Sequence, residues 1–187
     1  MSGQNKKTYE ITMVALFAAV TFLGIQVFRI PLPAAVGVPF LHFGNIFLLL
    51  GALLMGGKKG AWAGAIGFAL FDILNGYIMV MPKVVVIAIL MSLVASKLFN
   101  TYKDQIGVAR AIILGTTVAF IISLTGDFIY DTATLFLAGS SLGAAMWAAF
   151  TSLLATLINS VFGIIAVTLL YPIMNQLLKK TAYTDKR

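Results

Sequence analysis

The residues able to do chemistry fall into a few short clusters. His42 and Asn45 are three apart, as are Asp72 and Asn75, with Tyr77 close behind. Asp127, Tyr130 and Asp131 follow at spacings of three and four, and Lys83, Arg29 and Asn159 stand alone. On helices, spacings of three and four put side chains on one face. The set therefore offers carboxylates, bases, an imidazole and amides to a small polar molecule. Each residue also has a structural use. Arg29, Lys83, Tyr77, Tyr130 and Asp131 suit a lipid headgroup zone, where bases snorkel and aromatic belts form. Asp72 can neutralise Lys83, and His42 can serve as an interhelical hydrogen-bond donor. Asn159 is the strongest ligand candidate of the polar set, because an amide offers both a donor and an acceptor, although helix-to-helix bonding would also satisfy it. Trp147 can stack on a flat ring or anchor an interface.

Catalytic constellations are missing. The stretch from Gly51 to Lys59 has glycines and lysines but lacks the spacing and the following Ser or Thr of a phosphate-cradling loop. A single histidine and no cysteine remove the usual zinc protease site, thiolate metal sites and cysteine nucleophiles. No enzyme activity, resident cofactor or metal site is expected.

The elements that must position the polar clusters are written in the composition. The 187 residues are 60% hydrophobic and 10% charged, with a mean hydropathy of +1.01, far above the roughly 45–50% apolar usage of soluble domains. At about 20 residues per span, the chain accommodates a single all-α transmembrane domain over 1–187. Helices are expected at about 9–28, 40–55, 61–78, 82–99, 108–131 and 144–178. Pro31, Pro33 and Pro39 should hold an extended first loop, Pro82 should open the fourth helix, and the polar stretch from Asn100 to Gly107 should follow its end. No strand alternation or internal repeat is seen. The run after Lys6 and Lys7 is too long for a signal-peptide core and reads as a retained first helix.

The net charge of +7 is better explained by topology than by nucleic acid. Eleven of the 13 Lys and Arg lie in the N-terminus, the turn at 58–59, the segment 97–110 and the C-terminus. Only Arg29 and Lys83 lie on the other side. The positive-inside rule then places both termini in the cytoplasm and requires an even number of spans, six here. On that frame the polar clusters gather toward the outer side, forming a cup open outward. On the cytoplasmic side, Ala15 and Ala19 in helix 1, and Gly60 and Gly64 in helix 3, have the small-xxx-small spacing that lets another helix approach closely.

The lysine-bearing N-terminus, Ala15-Leu-Phe-Ala-Ala19, a proline-rich first loop, Leu41-His-Phe-Gly-Asn45, the Gly-Gly-Lys-Lys-Gly turn and Phe71-Asp-Ile-Leu-Asn-Gly-Tyr77 come in that order. Together they resemble S components of energy-coupling factor (ECF) vitamin transporters, over nearly the whole chain. The resemblance implies a six-helix subunit that binds a vitamin near the outer surface. It implies assembly with a transmembrane coupling subunit and two cytoplasmic ATPases, which would use the ATP. It carries coupling contacts to Ala15 and Ala19 and a ligand role to Asn159, with His42, Asn45, Asp72, Asn75, Lys83, Asp127 and Trp147 as further candidates. The His-x-Gly-Asn and Asp-x-x-Asn-Gly-Tyr stretches look most like the riboflavin, hydroxymethylpyrimidine and pyridoxine branch. A small pyrimidine or pyridine alcohol is expected, with riboflavin or pantothenate as alternatives. A stand-alone secondary transporter using Asp72, His42 and Asp127 is the rival, but it would want ionisable groups through the whole membrane thickness.

Overall fold

Apolar segments punctuated by single glycines and prolines give an all-helical bundle. The computed structural model describes residues 3–32 and 40–184, with side chains over 6–32 and 40–180. Among the described residues there are six helices: α1 (Gly3–Gln26), α2 (Gly44–Met55), α3 (Gly57–Leu74), α4 (Met81–Ile106), α5 (Val108–Leu137) and α6 (Leu142–Thr184). Four helical segments are long and apolar enough to cross a membrane: Lys6–Gln26, Met81–Ile106, Val108–Leu137 and Leu142–Lys180. At 12 residues, α2 is only about 18 Å long, yet it is the most enclosed. Leu48, Leu49, Leu50 and Ala52 are all fully buried among its neighbours.

The helix limits differ from expectation for local reasons. The turn between α2 and α3 was expected to take five residues and takes one, Gly56, whose φ of 92° is open to glycine without a Cβ clash. The stretch Asn100–Gly107, expected as a break, continues α4 to Ile106. Asn100 donates its amide to the Ser96 carbonyl and Lys103 donates to Asn100, so polar side chains support the helix until Gly107, at φ 88°, turns the chain into α5. Pro82 lies in the first turn of α4, where its missing N–H has no helical partner to lose.

Contrary to the reading that no strand occurs, Ile30–Pro31 (β1) and Phe40–Leu41 (β2) pair antiparallel, with Ile30 opposite Leu41 and Pro31 opposite Phe40. A two-residue ribbon leaves no alternation to detect. It moves the start of α2 from 40 to 44, and the Phe43 N–H donates to the Gly24 carbonyl at 3.0 Å. Pro33, Pro39, Lys186 and Arg187 lie outside the described residues.

Close helix contacts are made where side chains vanish. A Cβ on Gly60 would meet the Ala52 backbone and one on Gly115 the Ala95 carbonyl, so α2 packs on α3, and α4 on α5, at backbone distance. Lys59 pairs with Glu10 at 2.7 Å, joining the N-terminal ends of α1 and α3. Lys6, Lys7, Lys58, Lys97, Lys103 and Arg110 belong to that same end of the bundle by their places in the helices.

Candidate functional site

Toward the opposite end, parts of all six helices and β2 enclose a cavity of about 530 Å³, within the roughly 300–1,000 Å³ usual for small-molecule sites. Its wall draws on β2 and the loop after it (Phe40, His42), the start of α2 (Asn45) and the end of α3 (Phe68, Phe71, Asp72). Tyr77 from the connection to α4 and Lys83, Val84, Ile87 and Met91 of α4 continue it. From α5 come Ser123, Asp127, Tyr130 and Asp131, and from α6 Ser152, Thr156 and Asn159.

One side is aromatic. The rings of Phe71 and Tyr77 stack at 5.9 Å, Phe40 lies 5.7 Å from Phe71, and His42 meets Phe68 edge-on at 6.0 Å. Arg29 holds its guanidinium 5.5 Å from the Phe40 centroid and 5.7 Å from that of Phe71, a cation–π contact that braces the wall without lining the cavity.

The other side is a charge cluster. Lys83 donates to Asp127 at 2.9 Å and lies 3.6 Å from Asp131, while its ammonium sits 4.9 Å from the Tyr130 ring. Thr156 donates to the second Asp127 oxygen at 3.1 Å, and the Tyr130 hydroxyl donates to the Met79 carbonyl at 3.0 Å. Lys83 is the only Lys or Arg among the lining residues, and two carboxylates hold it. The ion pair imagined between Asp72 and Lys83 is replaced by this triad. Asp72 itself is 4% exposed, and its buried Oδ2 has no hydrogen-bond partner among the described residues.

Asn159 is 7% exposed and fastens α6 to the strand end. Its Nδ2 donates to the Phe40 carbonyl at 2.9 Å, and its Oδ1 accepts the His42 backbone N–H at 3.1 Å. One donor and one acceptor site are thus engaged by the backbone beside the cavity, which fixes where Phe40 and His42 stand. The His42 ring accepts the Gly44 N–H at Nδ1, 3.1 Å away, which leaves the ring proton on Nε2 and makes that nitrogen a donor.

Of the residues expected at the site, His42, Asn45, Asp72, Lys83, Asp127 and Asn159 come together around the cavity. Two do not line it. Asn75 faces α1, donating to Gln26 at 2.9 Å and to the Phe71 carbonyl, and accepting from Arg29 at 3.4 Å. It ties α1 to α3 behind the aromatic wall. Trp147 is 70% exposed and stacks on Phe150, because that face of α6 turns away from the bundle. The apolar wall, Phe40, Phe68, Phe71, Ile87 and Met91, was not singled out by the polar pattern. The signal for Phe68 and Phe71 was their place one helical turn and one residue before Asp72, and Thr156 lies three residues before Asn159. On α1, Ala15 and Ala19 are both exposed while Phe17 and Ala18 are buried. The small-residue stripe therefore faces outward, available to another helix.

A family model described as ECF-type riboflavin transporter, S component, matches residues 5–177. A solved structure described as "Structure and mechanism of the S component of a bacterial ECF transporter" has a TM-score of 0.64 and is 17% identical, covering 92% of this chain and 99% of that one. At that identity the likeness is one of fold. An uncharacterized protein of Pyrococcus woesei is 45% identical over 47 residues, which are 25% of this chain and 30% of that protein.

Proposed function

Since the chain belongs to the ECF-type riboflavin transporter S component family, a family of transporter subunits and not of enzymes, we propose that it captures a small vitamin or vitamin precursor in the cavity at the α3–α4 end of the bundle. The observation that carries the reading is the cavity itself: an aromatic wall faced by hydrogen-bonding groups from five helices. Such a site holds a flat hydroxylated nitrogen heterocycle by stacking and a few placed hydrogen bonds.

A ligand resembling hydroxymethylpyrimidine or pyridoxine is favoured. Pantothenate suits the site poorly, because its carboxylate needs a cation and Lys83 is already held by Asp127 and Asp131. Riboflavin is the second reading, supported by the wording of the family description and by a cavity volume of about 530 Å³.

Six spans with both termini cytoplasmic would direct the cavity outward, consistent with the lysine-rich ends of the helices on the other side. A bacterial cytoplasmic membrane is the setting proposed. The exposed Ala15 and Ala19 would receive a transmembrane coupling subunit, and two cytoplasmic ATPase partners would supply the energy, with no cofactor in this chain. The alternative of a stand-alone transporter is disfavoured, since the carboxylates lining the cavity sit at one end only and make no path through the bundle.

Mass spectrometry of small molecules released from the purified protein tests the reading. A vitamin-sized heterocycle in near-stoichiometric amount supports it. Uptake in cells lacking every ECF ATPase would overturn the partner assignment, and failure of every vitamin to bind would overturn the binding role.

A further inference from the structure

We infer that Asp72 selects the ligand, by accepting an N–H from an amino-substituted nitrogen heterocycle. The inference rests on the reading of the cavity as the substrate site and names what that site demands. The other two lining carboxylates are engaged: Asp127 by Lys83 and Thr156, Asp131 by Lys83. Asp72 lines the same cavity and is 4% exposed, and its Oδ2, shielded from solvent, has no hydrogen bond among the described residues. Buried polar groups are nearly always satisfied, so an orphan in a cavity wall marks a partner that arrives from outside.

A carboxylate only accepts hydrogen bonds, so the arriving group must be a donor. An exocyclic amine meets that need, whereas a ring carbonyl at the same edge would face the carboxylate with a second acceptor. Phe71, the residue before Asp72, belongs to the aromatic wall with Tyr77 and Phe40. Asp72 and that wall line one cavity, so a planar ring held there can turn an amine toward Asp72.

The test is calorimetric titration of the purified full chain with 4-amino-5-hydroxymethyl-2-methylpyrimidine and with its 4-oxo counterpart, repeated on Asp72→Asn. The native protein should prefer the amine at least tenfold. Asp72→Asn should lose about tenfold to hundredfold in affinity for the amine, the size of a hydrogen bond to a charged group, and gain affinity for the oxo compound, to whose carbonyl the new amide can donate. Without ligand, Asp72→Asn should melt at a higher temperature than the native protein, because an unpartnered buried carboxylate costs stability; a structural Asp72 would give the opposite sign. Equal affinity of Asp72→Asn for the amine overturns the inference, since the amide keeps an acceptor oxygen but lacks the charge that strengthens the bond. Binding of riboflavin, pyridoxine or pantothenate that ignores the substitution also overturns it, while leaving the capture role intact. If neither protein binds any of these compounds, both conclusions fall.

Discussion

Replacing Asn159 with alanine should weaken ligand binding through the backbone it holds, beside any contact its remaining amide N–H or lone pair makes from the cavity wall. The side chain spends both ends on backbone, donating to the Phe40 carbonyl at 2.9 Å and accepting the His42 N–H at 3.1 Å. Each hydrogen bond contributes about 0.5–1.5 kcal/mol net, and each buried backbone group left unsatisfied costs about 1–3 kcal/mol. Water reaching the vacated site recovers part of that. A loss of about 2 kcal/mol in the anchored arrangement is therefore expected, which lowers apparent affinity roughly 30-fold if the freed strand end must be re-anchored for binding. Asn159→Asp is the sharper control. It keeps the acceptor for His42 but turns an oxygen toward the Phe40 carbonyl, so it should bind no better than the alanine variant. Titration of purified protein with the ligand identified by mass spectrometry reads the effect. Affinity within twofold of the native value in Asn159→Ala would refute the tether.

Three further outcomes follow from the packing. Ala15→Trp combined with Ala19→Trp should abolish uptake in cells while binding by the purified protein stays unchanged, because both residues are exposed and add bulk only outside the bundle; normal uptake removes the docking face. Lys83→Met leaves Asp127 and Asp131 facing each other, and should lower stability in detergent by about 2–4 kcal/mol, somewhat less than for a fully buried pair, with Asp127→Asn in the same protein restoring part of it. An unshifted melting temperature would show that the triad is held by something else. Gly60→Ala sets a methyl against the Ala52 backbone and should cost about 1–3 kcal/mol, read as a lower melting temperature; an unchanged one would mean that α2 and α3 part without penalty.

Much of the architecture was legible because it is local. Glycine and proline mark helix ends by backbone sterics, so Gly56, Gly107 and Pro82 announced their turns. Asn100 to Gly107 misled because polarity in the sequence does not distinguish a loop from a helix whose Asn100 and Lys103 bond within it. The β1–β2 ribbon joins residues nine and eleven apart through backbone groups alone, and backbone pairing of two residues leaves no side-chain period.

The cavity was half legible. Polar residues stand out against an apolar chain, so His42, Asn45, Asp72, Lys83, Asp127 and Asn159 could be gathered at one end. Their partners could not. Asn75 and Asn159 look alike in sequence, yet one ties α1 to α3 and the other holds β2 to α6. Trp147 and the aromatic wall show the limit most plainly. In water a helix advertises its inner face by its apolar stripe, but in lipid both faces are apolar and the stripe disappears. Sequence alone determined that this chain is a helical membrane protein with its hydrogen-bonding groups at one end. Tertiary structure alone decided which aromatic rings turn inward, which carboxylates Lys83 holds and which one is left open, because those choices depend on the rotation of each helix against its neighbours.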